Sequence, residues 1–136
     1  MKSSGKAKVL LVKHWMEIHD RGVKSVVARL RDAGFEVVYM VYQRPEEIVA
    51  AAIQEDADVI GMSFSTGAYD AHVPAVVNDM KKKGLKDVML LVGGLIPDED
   101  IPGLKKQGVK EVFGAGSDLN KLIELIDTVG PKAAKV

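Results

Sequence analysis

Val88-Met89-Leu90-Leu91-Val92, closed by Gly93-Gly94, is a continuous apolar run of strand length. A strand with one wet face alternates apolar and polar residues. A run this uniform is apolar on both faces, as in a parallel sheet covered by helices on either side. Similar runs recur at Val9-Leu10-Leu11-Val12, Phe35-Glu36-Val37-Val38-Tyr39-Met40-Val41, Val59-Ile60-Gly61-Met62 and Val109-Lys110-Glu111-Val112-Phe113. Segments of helical period lie between and after them, at about Val23 to Ala33, Pro45 to Glu55, Ala71 to Lys83, Asp98 to Lys106 and Leu119 to Val129. In the first, Val23, Val26, Val27 and Leu30 share a face while Lys24, Arg29 and Arg31 fall mostly elsewhere. Gly34, Gly84 and Gly108 stand where helices should end, and Pro45 where one should begin.

The order is therefore βαβαβαβαβα. Right-handed crossovers then predict an α/β doubly wound, five-stranded parallel sheet of flavodoxin-like (Rossmann-like) strand order 2-1-3-4-5, with a ligand at the carboxyl ends of strands one and three. The 136 residues, 47% of them hydrophobic, suit a single domain over 1–136 with short flexible tails at about 1–6 and 130–136. Nineteen Lys and Arg balance nineteen Asp and Glu, which leaves no basic field for nucleic acid or an anionic membrane. The absence of cysteine excludes disulfides, thiolate metal sites and a Cys nucleophile. Met1-Lys2-Ser3-Ser4-Gly5-Lys6 runs into a strand rather than a signal-peptide core, and no apolar run approaches the roughly 18 residues of a membrane span. A soluble, cytoplasmic protein is the expectation.

Three loops leave strands that should be neighbours: Lys13-His14-Trp15-Met16-Glu17-Ile18-His19-Asp20-Arg21-Gly22, Ser63-Phe64-Ser65-Thr66-Gly67-Ala68-Tyr69, and Gly93-Gly94-Leu95-Ile96-Pro97. The first, at about ten residues, exceeds the usual 2–6 for such a connection and holds two of the three histidines and the lone tryptophan. His19 reads either as a half-exposed residue at a helix start or as a functional group. Gly93-Gly94 reads either as a tight turn or as room for close approach of a ligand. Gly114 and Gly116 precede a helix begun by Ser117 or Asp118, and form either a phosphate cradle or an ordinary capped start.

Together these loops resemble the cobalamin-binding domain, or small subunit, of the adenosylcobalamin-dependent acyl-CoA mutases, the methylmalonyl-CoA and isobutyryl-CoA mutase group. That family carries Asp-x-His-x-x-Gly after strand one, Ser-x-Leu after strand three and Gly-Gly after strand four. Glu17-Ile18-His19-Asp20-Arg21-Gly22 matches the first with Glu for Asp, Ser63-Phe64-Ser65 matches the second with Ser for Leu, and Tyr69 stands where His is usual. Gly93-Gly94-Leu95-Ile96-Pro97 and Val112-Phe113-Gly114-Ala115-Gly116 follow the mutase pattern, so the likeness runs from about Lys8 to about Asp127.

The resemblance implies that His19 replaces the cofactor's own dimethylbenzimidazole as lower axial cobalt ligand, so that the corrinoid is held base-off and its nucleotide tail enters a slot beside the sheet. Glu17 would hold the other ring nitrogen of His19, with Lys13 third in the relay. Ser63 would bond the benzimidazole nitrogen. Ser65, Thr66 and Gly67 would complete that loop, and Gly93, Gly94, Gly114 and Gly116 would let the main chain lie against the tail. Ser65 in place of Leu removes an apolar contact worth roughly 1.5–3 kcal/mol unless Phe64 or Tyr69 takes its place. Trp15 reads as a shield for the corrin, a contact for a partner or a half-exposed loop aromatic, and His14 and His72 as surface or helix histidines.

A mutase also needs a barrel around the acyl-CoA, and the usual (β/α)₈ barrel takes about 250 residues. The resemblance therefore implies the small subunit of a two-component isomerase, with adenosylcobalamin as cofactor, a large acyl-CoA-binding barrel subunit as partner and a heterotetramer as one assembly. The alternatives are a corrinoid carrier of a methyltransferase system, disfavoured because strand one starts at about residue 7 with no helical domain before it, and a diverged, non-catalytic relative with lost or altered cobalamin binding. A signalling receiver of the same topology would need a Lys after strand five, where Gly-Ala-Gly-Ser stands instead.

Overall fold

The five apolar runs pair as parallel strands in the order β2-β1-β3-β4-β5, as expected. The structure, a computed structural model, describes residues 6–17, 21–65, 67–114 and 116–129. In chain order the elements are β1 (Lys8–His14), α1 (Arg21–Asp32), β2 (Glu36–Tyr42), α2 (Glu46–Gln54), β3 (Val59–Phe64), α3 (Tyr69–Lys82) and β4 (Met89–Gly94). A 3₁₀ turn (Asp98–Asp100) leads into α4 (Ile101–Gln107), followed by β5 (Glu111–Gly114) and α5 (Leu119–Asp127).

Alternate strand residues feed two apolar layers. Val9, Leu11, Val37, Val59 and Leu91 pack under α1 and α5. Leu10, Val12, Tyr42, Ile60, Phe64 and Val92 pack under α2, α3 and α4. Both faces of the sheet are thus covered, which is why the strands lack polar alternation.

The glycines expected at helix ends share one device. Gly34 takes φ +98°, its N–H donates to the Arg31 carbonyl (3.0 Å), and the Phe35 N–H donates to the Leu30 carbonyl (3.1 Å). Leu85 N–H to Met80 (2.9 Å) after Gly84, and Val109 N–H to Leu104 (3.1 Å) after Gly108, repeat it. These are Schellman-type caps, in which the residue after the glycine closes the helix before any strand begins. That is why β2 and β5 start later than Phe35 and Val109, where the apolar runs had placed them. The end of α2 repeats the bond, Ala57 N–H to Ala52 (2.9 Å), with Asp56 rather than glycine at φ +53°.

At the amino ends of the strands, the buried Asp58 accepts from the Lys8 N–H (2.8 Å) while its own N–H donates to the Lys8 carbonyl (2.8 Å), fixing β1 against β3. Lys6 forms an ion pair with Asp127 (3.1 Å) and lies 4.9 Å above the Phe35 ring. Among the described residues no helix is long and apolar enough to cross a membrane.

Candidate functional site

The β1 strand runs further than its apolar core suggests. Lys13 pairs with Val41 and Ser63, and His14 with Tyr42, so the connection to α1 covers only residues 15–20. The expected ten-residue loop is thus shorter, because its first two residues belong to the ladder and Arg21 and Gly22 belong to the first turn of α1. Its length is ordinary for a strand-to-helix connection.

Beside this connection an apolar slot of about 390 Å³ opens between α1, α5 and the sheet. Val23, Val26 and Leu30 line it from α1, and Leu119, Leu122 and Ile126 from α5. Its floor descends the strands from Ser63 and Gly93 to Val9 and Val59. Outside it, the Arg29 guanidinium of α1 donates to Asn120 Oδ1 of α5 (2.6 Å), joining the two helices.

Several residues proposed from the sequence meet here. Gly22, Ser63, Ser65, Gly93, Gly94, Gly114 and Gly116 line the slot. Glu17 Oε2 accepts from the Ser65 N–H (3.1 Å), which ties the β1–α1 connection to the β3–α3 loop. The buried Lys13 reaches Glu17 through the latter's main-chain carbonyl, to which its Nζ donates. Arg21 is exposed at the start of α1, and Gly67 (φ +55°) is exposed and away from the slot lining. Ile18, His19, Asp20 and Thr66 lie outside the described residues.

The glycines divide by cause. A Cβ at Gly93 would come within 3.3 Å of the Phe113 carbonyl oxygen, so Gly93 holds β4 close to β5 at the slot's upper end, whereas one at Gly114 would stand at an ordinary contact distance of 3.6 Å from the Gly94 carbonyl oxygen. Gly94, at φ +118°, would drive a Cβ into the Phe64 carbonyl, so its own turn demands glycine. Gly116 takes φ +81° before α5, whose N-cap is Asp118, accepting from the Asn120 N–H (2.9 Å).

Sequence reasoning missed the sheet floor and the α5 wall. Gly61 is the informative residue: a Cβ there would overlap Leu11 Cδ2, so its bareness makes room for Leu11 in the floor. A lone glycine inside a β-branched run was the available signal. The α5 wall could be read from Leu119, Leu122 and Ile126 at helical spacing.

Phe64, one of two residues expected to compensate for Ser65, borders the slot, but its ring packs on the opposite face of the sheet beside Tyr69 and His72. Tyr69 is engaged elsewhere: its hydroxyl donates to Asp100 Oδ2 (2.5 Å), and that bond raises its pKa to about 12. Trp15 is half-exposed, and its N–H donates to the Tyr42 carbonyl (2.8 Å). On the opposite face of the sheet, His14 Nε2 lies 3.1 Å from the Gln43 carbonyl oxygen and His72 Nδ1 lies 2.7 Å from the Tyr42 hydroxyl. The two imidazoles are 4.9 Å apart between ring centroids, so His14 at the end of β1 and His72, in α3 as one of its readings had it, form a packed pair.

An α/β sheet of this order with a slot at its carboxyl edge defines a class of ligand-binding domains. The chain belongs to the B12-binding domain family, whose model, the B12 binding domain, matches residues 7–124. Within it, the chain is 43% identical over 107 residues to the 2-hydroxyisobutanoyl-CoA mutase small subunit of Aquincola tertiaricarbonis, covering 78% of this chain and 79% of that one. It is 37% identical over 127 residues to the pivalyl-CoA mutase small subunit of Xanthobacter autotrophicus, covering 93% and 85%. Methylmalonyl-CoA mutase of Cereibacter sphaeroides is 34% identical over 82% of this chain, which spans 16% of that protein's length. Among solved structures, a cobalamin-binding protein from Desulfitobacterium hafniense shares the fold at a TM-score of 0.74 and 18% identity, over 92% of this chain and 59% of that one.

Proposed function

We propose that this chain, taken as one domain over 1–136, is the cobalamin-binding small subunit of a two-component adenosylcobalamin-dependent acyl-CoA mutase. The observation that carries the reading is the apolar slot lined by Gly22 at the start of α1 and by Ser63, Ser65, Gly93 and Gly94 at the strand ends. Its volume of about 390 Å³ falls in the range of roughly 300–1,000 Å³ typical of small-molecule sites. The residues present fit a flat apolar tail: hydrocarbon on both helix walls, and serines and glycines at the upper end.

In this reading His19 would hold the cobalt through one ring nitrogen and Glu17 would hold the other, fixing the tautomer. Lys13, bonded to the Glu17 carbonyl, anchors the start of that segment, and the Glu17–Ser65 bond sets it against the upper end of the slot. Ser63 faces the tail, Gly93, Gly94, Gly114 and Gly116 admit it, and the apolar walls keep water from it. Adenosylcobalamin, when bound, supplies the weak cobalt–carbon bond from which radical chemistry starts. Rearrangement of the acyl-CoA carbon skeleton takes place on a separate large barrel subunit, with which this chain forms a heterotetramer. The identity to small subunits of two mutases across most of their lengths supports that division of labour.

The test is to mix the purified chain with hydroxo- or adenosylcobalamin, remove free corrinoid and record the visible spectrum for wild type and His19→Ala. Wild type should retain corrinoid with a base-off, histidine-ligated spectrum, and His19→Ala should lose that signature. No retained corrinoid would sink the reading, and an unchanged spectrum in His19→Ala would sink the ligand assignment.

A further inference from the structure

We infer that His14 is a positioning residue for the connection that carries Glu17 and leads to His19, acting from the opposite face of the sheet and only as the neutral, Nε2-protonated imidazole. The inference rests on the cofactor reading above and adds to it a residue that the Glu17 to Gly22 motif does not contain.

The first three residues of the connection are tied to the ends of β1 and β2. The Trp15 N–H donates to the Tyr42 carbonyl (2.8 Å), the Glu17 N–H to the His14 carbonyl (3.0 Å) and the Met16 N–H to His14 Nδ1 (3.4 Å). Only the last of these bonds ends on a side chain. A main-chain N–H can only donate, so Nδ1 must present its lone pair. Across the ring, Nε2 stands 3.1 Å from the Gln43 carbonyl oxygen, which can only accept, so Nε2 carries the proton. One tautomer makes both bonds. The other neutral tautomer loses both, and the imidazolium turns the acceptor at Nδ1 into a second donor. The Gln43 end is itself fixed, because the Gln43 N–H donates to Glu47 Oε1 (2.9 Å) at the start of α2.

The titratable and charged groups around this ring are His72 and Asp70 from α3, Tyr42 from β2, and Arg44 and Glu47 from the start of α2. Burial pushes the Tyr42 pKa up, so its hydroxyl stays neutral and can serve His72 Nδ1, 2.7 Å away, as donor or acceptor. Among the described residues no carboxylate is bonded to either imidazole. A second proton on His14 therefore finds no partner at Nδ1 and sets N–H against the Met16 N–H, so the start of the connection must move. Glu17 follows Met16 directly and carries that movement across the sheet. Its carboxylate holds the Ser65 N–H (3.1 Å) and its carbonyl the Lys13 ammonium. The group that would orient the cobalt ligand is thus set from one side by Ser65 and Lys13 and from the other by His14.

The test uses the whole chain, first free and then loaded with hydroxocobalamin. In the free chain, nitrogen-15 NMR from about pH 8 to about pH 5 should show His14 as the Nε2–H tautomer at the upper end, with the Met16 and Glu17 amide shifts following the titration of the His14 ring. In the loaded chain, the visible spectrum reports how much cobalt keeps its histidine as pH falls. His14→Phe keeps a flat ring and removes both side-chain bonds. It should raise the midpoint for loss of that signature by about 0.5–1 pH unit, a roughly threefold to tenfold loss of ligation, which is the weight of one net hydrogen bond. His14→Asn supplies an oxygen that accepts from the N–H two residues on, as in an Asx turn, and does not titrate. It should return the midpoint to near the wild-type value while the Met16 amide no longer responds to pH. An Nδ1–H tautomer, amides that ignore the ring's titration, an unmoved midpoint in His14→Phe, or one displaced as far in His14→Asn as in His14→Phe each overturns the inference and leaves the cofactor reading in place. Retention of no corrinoid by the wild type overturns the cofactor reading, and the inference with it. Melting curves accompany both variants, and if His14→Phe does not fold, the tautomer and amide shifts of the wild type decide.

Discussion

Two glycines at strand positions lack side chains for different reasons. Gly94 lies at φ +118°, where a Cβ would meet the Phe64 main chain, so the turn after β4 accounts for it without any ligand. Gly61 lies at a strand dihedral open to other residues, and what excludes a side chain there is the end of Leu11, on the floor of the slot. His72 shows a third kind of constraint. Burial, then the neighbouring His14, depress the His72 pKa, while Asp70 acts weakly the other way. A depressed value means that the unfolded chain takes up this proton more readily than the folded one. The contribution of His72 to stability is therefore complete above the ordinary histidine pKa of about 6.5, and is lost as pH falls through the lowered value. The urea midpoint should accordingly fall between pH 7.5 and pH 5, and His72→Gln should flatten that dependence. Parallel pH profiles for the two proteins would refute the assignment.

The α5 helix is both the last element of the fold and one wall of the slot. Its start rests on Asp118, whose carboxylate accepts from the Asn120 N–H (2.9 Å). Asp118→Ala should cost about 0.5–2 kcal/mol in urea unfolding, the usual range for a lost N-cap, and Asp118→Asn should restore most of it. A loss left unrepaired by Asn would show that the cap is not the cause. Element identity and order were legible because both ladders and caps leave local marks: β-branched runs for the strands, and Gly34, Gly84 and Gly108 for three helix ends. At the end of α2 no glycine marks the stop, since Asp56 takes the left-handed conformation, yet the helical period alone ended that segment at Glu55, its C-cap. Lys13 and His14 look like loop residues, yet they stay in β1 because β2 and β3 supply pairing partners for them, information that lies some thirty to fifty residues away.

At the scale of the whole molecule, the slot itself was not legible, because it is a volume left between α1, α5 and the sheet rather than a residue pattern. The sequence marked its upper end, through Ser63, Gly93, Gly114 and Glu17, since those positions carry the family's motif. Its walls look like any helix face. A ligand that enters this space binds the folded chain alone, so corrinoid at a hundred times its dissociation constant should add about 2.7 kcal/mol of stability. For a chain of this size that raises the melting midpoint by on the order of 10 °C. A midpoint unmoved by saturating cobalamin would mean that nothing had entered. The slot also runs along the floor beneath α1 and α5, so the apolar layer on that side of the sheet, though covered, keeps an unfilled volume. If a cofactor tail completes it, the last step of folding becomes bimolecular. The final packing of these two helices is then reached at a rate set by the supply of a small molecule, and a cell short of that molecule holds the protein one core component short of finished.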